Sequence, residues 1–174
     1  MMKKKSLFII AALLLVGSLS TQATIITGSL STDDGGLIAN GAWSTEGDGF
    51  VIIWTITYEE GDSFAHYKYE FTKADGSPLQ KAISHIIITL SDNIEEGDLY
   101  NFSEGIDPEF GTFEVGPSNP GFPAGESIFG VKFNFNNTTV VEFDSNRPPM
   151  WGDFYSKDGV SGGEWNYVYN ASIG

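Results

Sequence analysis

The sequence predicts an all-β fold: two antiparallel sheets packed as a jelly-roll-like β-sandwich behind an N-terminal signal peptide. Three observations carry this. Apolar residues recur at every second position in several short runs. Glycine, proline, asparagine and acidic clusters separate those runs. Beyond the first 23 residues, no stretch of about ten residues has apolar positions at helical spacing.

The chain opens with Lys3-Lys4-Lys5, continues through an apolar run from Leu7 to Leu19 and reaches Thr21-Gln22-Ala23. A cationic start, a short apolar core and a small residue before the cut define a secretory leader; the core is shorter than the roughly 18 residues of a stable span. The reading is therefore a signal peptide over 1–23 and one β-sandwich domain over 24–174, with no membrane span once the leader is removed.

The first clear strand is FVIIWTITYEE, where Ile52, Trp54, Ile56 and Tyr58 share a face. After a turn at Glu59–Asp62, SFAHYKYEFT alternates Ala65, Tyr67, Tyr69 and Phe71 with Phe64, His66, Lys68 and Glu70, so the two runs read as a hairpin. KAISHIIITL is a third strand leading into an acidic loop. Residues 104–126 carry Pro108, Pro117, Pro120 and Pro123 and are expected to be one long loop, functional or mobile. SIFGVKFNF and TTVVEFDS, joined by Asn136-Asn137, are expected to form a second hairpin, because asparagine tolerates the positive φ of tight turns. The last strand, EWNYVYNASIG, sets Trp165, Tyr167, Tyr169, Ala171 and Ile173 on one face. A small outer-membrane barrel also has aromatic strands of about 10 residues. Faces such as His66, Lys68 and Glu70 suit water better than lipid, and the sandwich is preferred.

Net charge is −14, and loss of the three leader lysines takes it to −17. Such a surface repels phosphate backbones and anionic lipid, which argues against nucleic acid as a partner. The absence of cysteine removes thiol catalysis and sulfur-based zinc sites. An exported domain that stands without disulfides also points to a bacterial source.

Candidate chemistry is sparse. His66 faces the polar side of its strand and is expected to be solvated; His85 sits in an apolar strand and is expected to be a hydrogen-bonded structural residue. There is no HExxH, and no sequence feature links a particular serine to either histidine. Two carboxylates about 5 to 10 Å apart hydrolyse glycosidic bonds, but with 23 acids some pair meets that spacing by chance. Asp92, Asn93, Glu95, Glu96 and Asp98 surround Gly97 and offer the hard oxygen ligands calcium takes, although Ile94 and Ser103 depart from the EF-hand pattern. The segment RPPMWGDFYSKDG mixes aromatic and polar groups as a sugar platform does. If extended, it aligns Trp151, Asp153 and Tyr155 on one side with Lys157 and Asp158 close by; the competing reading is a rigid Pro-Pro corner whose ring plugs the core.

AISHIII, SNPGFP, SIFGVKF and RPPMWGDFYSKDG, in that order, together with the upstream WTITY strand, resemble exported bacterial proteins that often carry a PEP-CTERM type sorting tail. Those motifs cover about a third of the mature chain and are not catalytic signatures. The resemblance implies export and a β-sandwich; the sorting tail itself is absent here. The sequence thus leads to an exported, non-catalytic protein of the cell surface or extracellular matrix, with extracellular polysaccharide or envelope components as partners and weak carbohydrate binding. The alternative is a secreted polysaccharide hydrolase using a carboxylate pair, and a third reading is calcium-dependent adhesion.

Overall fold

The computed structural model describes residues 23–58, 63–135 and 138–173. Residues 1–22 of the expected leader and the turns expected at Glu59–Asp62 and Asn136-Asn137 lie outside them. The strands are β1 (Thr24–Ser31), β2 (Leu37–Asn40), β3 (Val51–Tyr58), β4 (Ala65–Thr72), β5 (His85–Thr89), β6 (Leu99–Tyr100), β7 (Asp107–Glu114), β8 (Ser127–Asn134), β9 (Val140–Ser145), β10 (Phe154–Ser161) and β11 (Glu164–Asn170). They form two antiparallel sheets, in the orders β1-β3-β4-β9-β6 and β2-β11-β10-β5-β8-β7.

The alternation read from the sequence places the core. Ile52 and Ile56 of β3, Ala65, Tyr67 and Phe71 of β4, and Val141 and Phe143 of β9 are buried on one side. Facing them are Ile86, Val131, Phe133, Phe154 and Val168 of the second sheet. Rings join the layers: Phe133 lies 5.4 Å from Phe143, and Phe154 stacks 6.3 Å from Phe71. The β3–β4 hairpin forms as expected, with Ile52 opposite Phe71 and Ile56 opposite Tyr67.

Two expectations need correction. β8 and β9 are not a hairpin: β8 pairs with β5 and β7, β9 with β4 and β6, so the two stand in different sheets. Their apolar faces do meet, but across the core rather than along a ladder. Residues 104–126 are not one loop, because β7 occupies the first part. Pro108 fits there since β7 is a sheet edge, where a missing N–H costs no ladder bond. The aromatic face of β11 is turned away from the central core. Asn166, Val168 and Asn170 point inward and are buried, while Trp165 is partly exposed on the outer side.

That outer side carries a second, smaller core. Ile87, Phe113, Phe122, Ile128 and Tyr155 are buried together, with Tyr167 and Tyr169 packed against them. The proline-rich segment 115–126 lies over them as a fixed cover. The Phe122 ring sits 5.1 Å from Tyr155, whose hydroxyl donates to the Pro120 carbonyl at 2.7 Å. Gly121, at φ +74°, lies so close beneath Tyr167 that a Cβ there would come within 2.2 Å of the ring. Polar side chains turned inward on β11 are satisfied by backbone. Asn166 accepts from Ala42 N–H at 2.8 Å, and Asn170 accepts from Phe154 N–H at 2.7 Å.

Candidate functional site

The strap from β9 to β10, residues 146–153, crosses the open end of the sandwich. Pro148 and Pro149 fix its φ angles and supply no N–H donors, so the strap is held at its ends. At the first end Tyr67 donates its hydroxyl proton to the Arg147 carbonyl at 3.1 Å. The Arg147 guanidinium lies 3.0 Å from Asp98 Oδ2 through Nε, an ion-pair contact without hydrogen-bond alignment, and also donates to the Asn93 carbonyl. At the other end Asp153 N–H donates to Thr89 Oγ1 at 2.8 Å, and Asn170 Nδ2 donates to Asp153 Oδ1 at 2.9 Å. Between these anchors Met150 is 53% and Trp151 82% exposed.

Beneath the strap the two sheets part around an apolar cleft of about 270 Å³. Ile26, Leu30, Trp54, Tyr69, Ile88 and Ile94 are among its walls, and Met150, Trp151 and Gly152 are at its margin. Trp54 and Trp151 meet edge to face, centroids 5.8 Å apart and planes at 87°, an arrangement that aromatic quadrupoles favour. Gly28 lets the Trp54 ring lie against the backbone of β1, since a Cβ at 28 would fall 2.2 Å from that ring. Desolvation raises the pKa of both wall phenols, Tyr67 and Tyr69, so they stay protonated.

The five residues expected to form a sugar platform do not share a surface. Trp151 stands at the cleft margin, whereas Tyr155 is fully buried in the outer core. Asp153 is taken up by Asn170. Lys157 extends over Trp165, 5.1 Å from its ring centre, and Asp158 lies where β10 departs from regular pairing with β11. The parity argument fails because the chain is not an extended strand before Phe154. The corner and the exposed ring are therefore both present, on different residues.

No protein-family model, curated protein or solved structure matches this chain.

Of the residues that make the cleft, Trp54 reads in the sequence as part of an alternating strand face and Ile94 as a departure from the EF-hand pattern, while Ile26 and Leu30 lie in β1, a strand the alternation does not single out. Nothing in their spacing shows that the sheets part there. The acidic segment is used locally. Glu95 and Asp98 form a reciprocal capping box around the 3-10 turn Glu96–Asp98, and Asp98 also meets Arg147. The backbone N–H of Glu95 chiefly holds the Asp98 carboxyl below the usual range. Among the described residues, no group of three or more His, Cys, Asp or Glu side chains, including Asp92, Glu95, Glu96 and Asp98 beside Asn93, is placed to hold a metal ion.

His66 is paired rather than merely solvated, with Nδ1 2.8 Å from Asp144 Oδ1. His85 is a structural residue: its ring is buried and Nε2 lies 3.1 Å from Asn119 Oδ1, which ties the 115–126 cover to β5. Burial, followed by the nearby charges of Lys132 and Lys157, lowers its pKa to about 3. A histidine depressed in the folded state contributes stability above its unfolded pKa of about 6.5 and loses it as pH falls toward the folded value. Wild type is expected to lose stability relative to His85→Gln between pH 6.5 and 4, by on the order of 3 kcal/mol at most. Urea unfolding of both proteins across that range measures the difference; parallel curves would refute this role for His85.

Proposed function

We propose that this chain is an exported, non-catalytic binding protein that takes an apolar part of its ligand into the cleft between its sheets, with Trp151 as the contact ring at the entrance. The observation that carries the reading is the pairing of an apolar cavity of about 270 Å³ with a tryptophan that is 82% exposed beside it. Concave apolar sites with few polar groups are the usual form of small-ligand pockets. The cavity is small, so it suits one short aliphatic or aromatic moiety rather than a large ligand.

Work outside the cytoplasm, at a cell surface or matrix, follows from the leader and from the resemblance to exported proteins. Among the described residues no helix is long and apolar enough to cross a membrane. The hydrolase alternative requires a carboxyl whose pKa is raised so that it can act as an acid. Among the described residues, the carboxyls clearly displaced from the ordinary value, Asp34, Asp75 and Asp98, are all lowered. Weak carbohydrate contact is a second reading, favoured by Trp151, whose open ring offers a surface for an apolar sugar face.

One titration separates the two. Octyl β-glucoside below its micelle concentration is expected to change tryptophan emission saturably, whereas methyl β-glucoside leaves it unchanged. Trp151→Ala should weaken octyl glucoside binding about tenfold, worth about 1.4 kcal/mol. Its unfolding free energy should move by no more than about 0.5 kcal/mol because the ring is outside the core. Equal responses to both glucosides would favour the carbohydrate reading, and no saturable response to either would remove both.

A further inference from the structure

The four sheet edges are unlike one another. β6 is two residues long, and β2 is four. β7 carries Asp107, Pro108, Glu109 and Glu114. Short length, proline and charge all discourage a further strand from adding to an edge. β1 has none of these features. It is eight residues, TIITGSLS, without a charge or a proline, and every residue pairs with β3 on one side. Its other side has no partner strand among the described residues, and Ile25 is 61% exposed.

We infer that β1 is a self-association edge: two copies pair β1 to β1, antiparallel, about a two-fold axis at Gly28, joining their five-stranded sheets into one. The self-complementary sequence of β1 points to a second copy as the partner, and the charge distribution directs its approach to this edge. The chain carries −14, so most mutual orientations are repulsive, while β1 brings no like charges opposite each other. The sequence is self-complementary about that axis. Ile26, Gly28 and Leu30 share the cleft side of β1, opposite Ile56, Trp54 and Ile52; Leu30 packs on the core, while Ile26 lines the cleft and stays 38% exposed. The axis sets Ile26 of each copy against Leu30 of the other on that face, and Thr27 against Ser29 on the outer face. Apolar pairs and Thr–Ser pairs are the cross-strand contacts that stabilise antiparallel ladders.

Sedimentation velocity on the chain expressed from residues 1–174 tests this. Wild type is expected to pass from monomer to dimer as concentration rises, and to do so more readily at 0.15 M salt than at 0.01 M, where the screening length is about 30 Å rather than about 8 Å. Thr27→Lys/Ser29→Lys places like charges opposite each other across the axis at exposed positions and should weaken dimerisation at least tenfold. Circular dichroism checks that it folds, and Thr27→Lys alone serves if it does not. Thr112→Lys, on the β7 edge, should leave dimerisation unchanged. A chain that stays monomeric at every concentration and salt, as it would if β1 served only a different protein, overturns the inference. So does a dimer that survives the folded lysine variants or that Thr112→Lys weakens equally.

Discussion

Tyr155→Ala is expected to lower the unfolding free energy by about 3–5 kcal/mol, the range for removing a large buried ring. The side chain is fully buried among Phe122, His85 and their neighbours, and its hydroxyl holds the Pro120 carbonyl at 2.7 Å. Loss of the ring opens a cavity in the outer core and frees the 115–126 cover together. Tyr155→Phe keeps the ring and should cost only about 1 kcal/mol, the net worth of one hydrogen bond. Urea unfolding of the two variants separates packing from the bond. Amide exchange in residues 115–126 should accelerate in the alanine variant. A small and equal loss in both would mean that the cover does not depend on this ring.

Gly130→Ala is expected to cost about 3 kcal/mol, toward the upper end for overpacking. Gly130 lies in β8 between β5 and β7, opposite Thr89 on one side and Gly111 on the other. A Cβ would come 2.0 Å from the Ile88 carbonyl oxygen, which is backbone, so the ladder itself must shift. Gly111→Ala is the internal control: a Cβ there meets nothing within 4 Å, and its loss should be well below that of Gly130→Ala. Thermal unfolding of both variants decides the point; equal losses would show that general strand propensity, not this contact, governs the site.

The sandwich was legible because period-two alternation is a local signal: β3 and β4 announce their buried faces and pair in the order they occur. Sheet membership was not, because it depends on where a chain crosses the core. β8 and β9 have the same hydrophobic pattern as a hairpin, yet stand in opposite sheets. On β11 the alternation marks one aromatic face but not which layer it meets, and the opposite face carries Asn166 and Asn170 into the interior. Those amides lie inward because Ala42 and Phe154 backbone groups there need partners. The candidate site was half legible. RPPMW marks a rigid corner, and Trp151 is exposed on it. The choice of Tyr155 failed because the outer face of the second sheet is covered by a segment whose prolines suggested an open loop. The cleft itself is a gap between layers, set by Gly28, Trp54 and the strap, and no single run of sequence encodes it.

The account stands most directly on where an apolar ligand enters. Methyl NMR of the isoleucines and leucines during octyl β-glucoside titration reads this position by position. Saturable shifts are predicted at Ile26, Leu30, Ile52, Ile56, Ile88 and Ile94, which line the cleft. Ile87 and Ile128, in the outer core, should stay in place. Shifts confined to the outer core, or absent from the cleft methyls at saturation, would contradict the account.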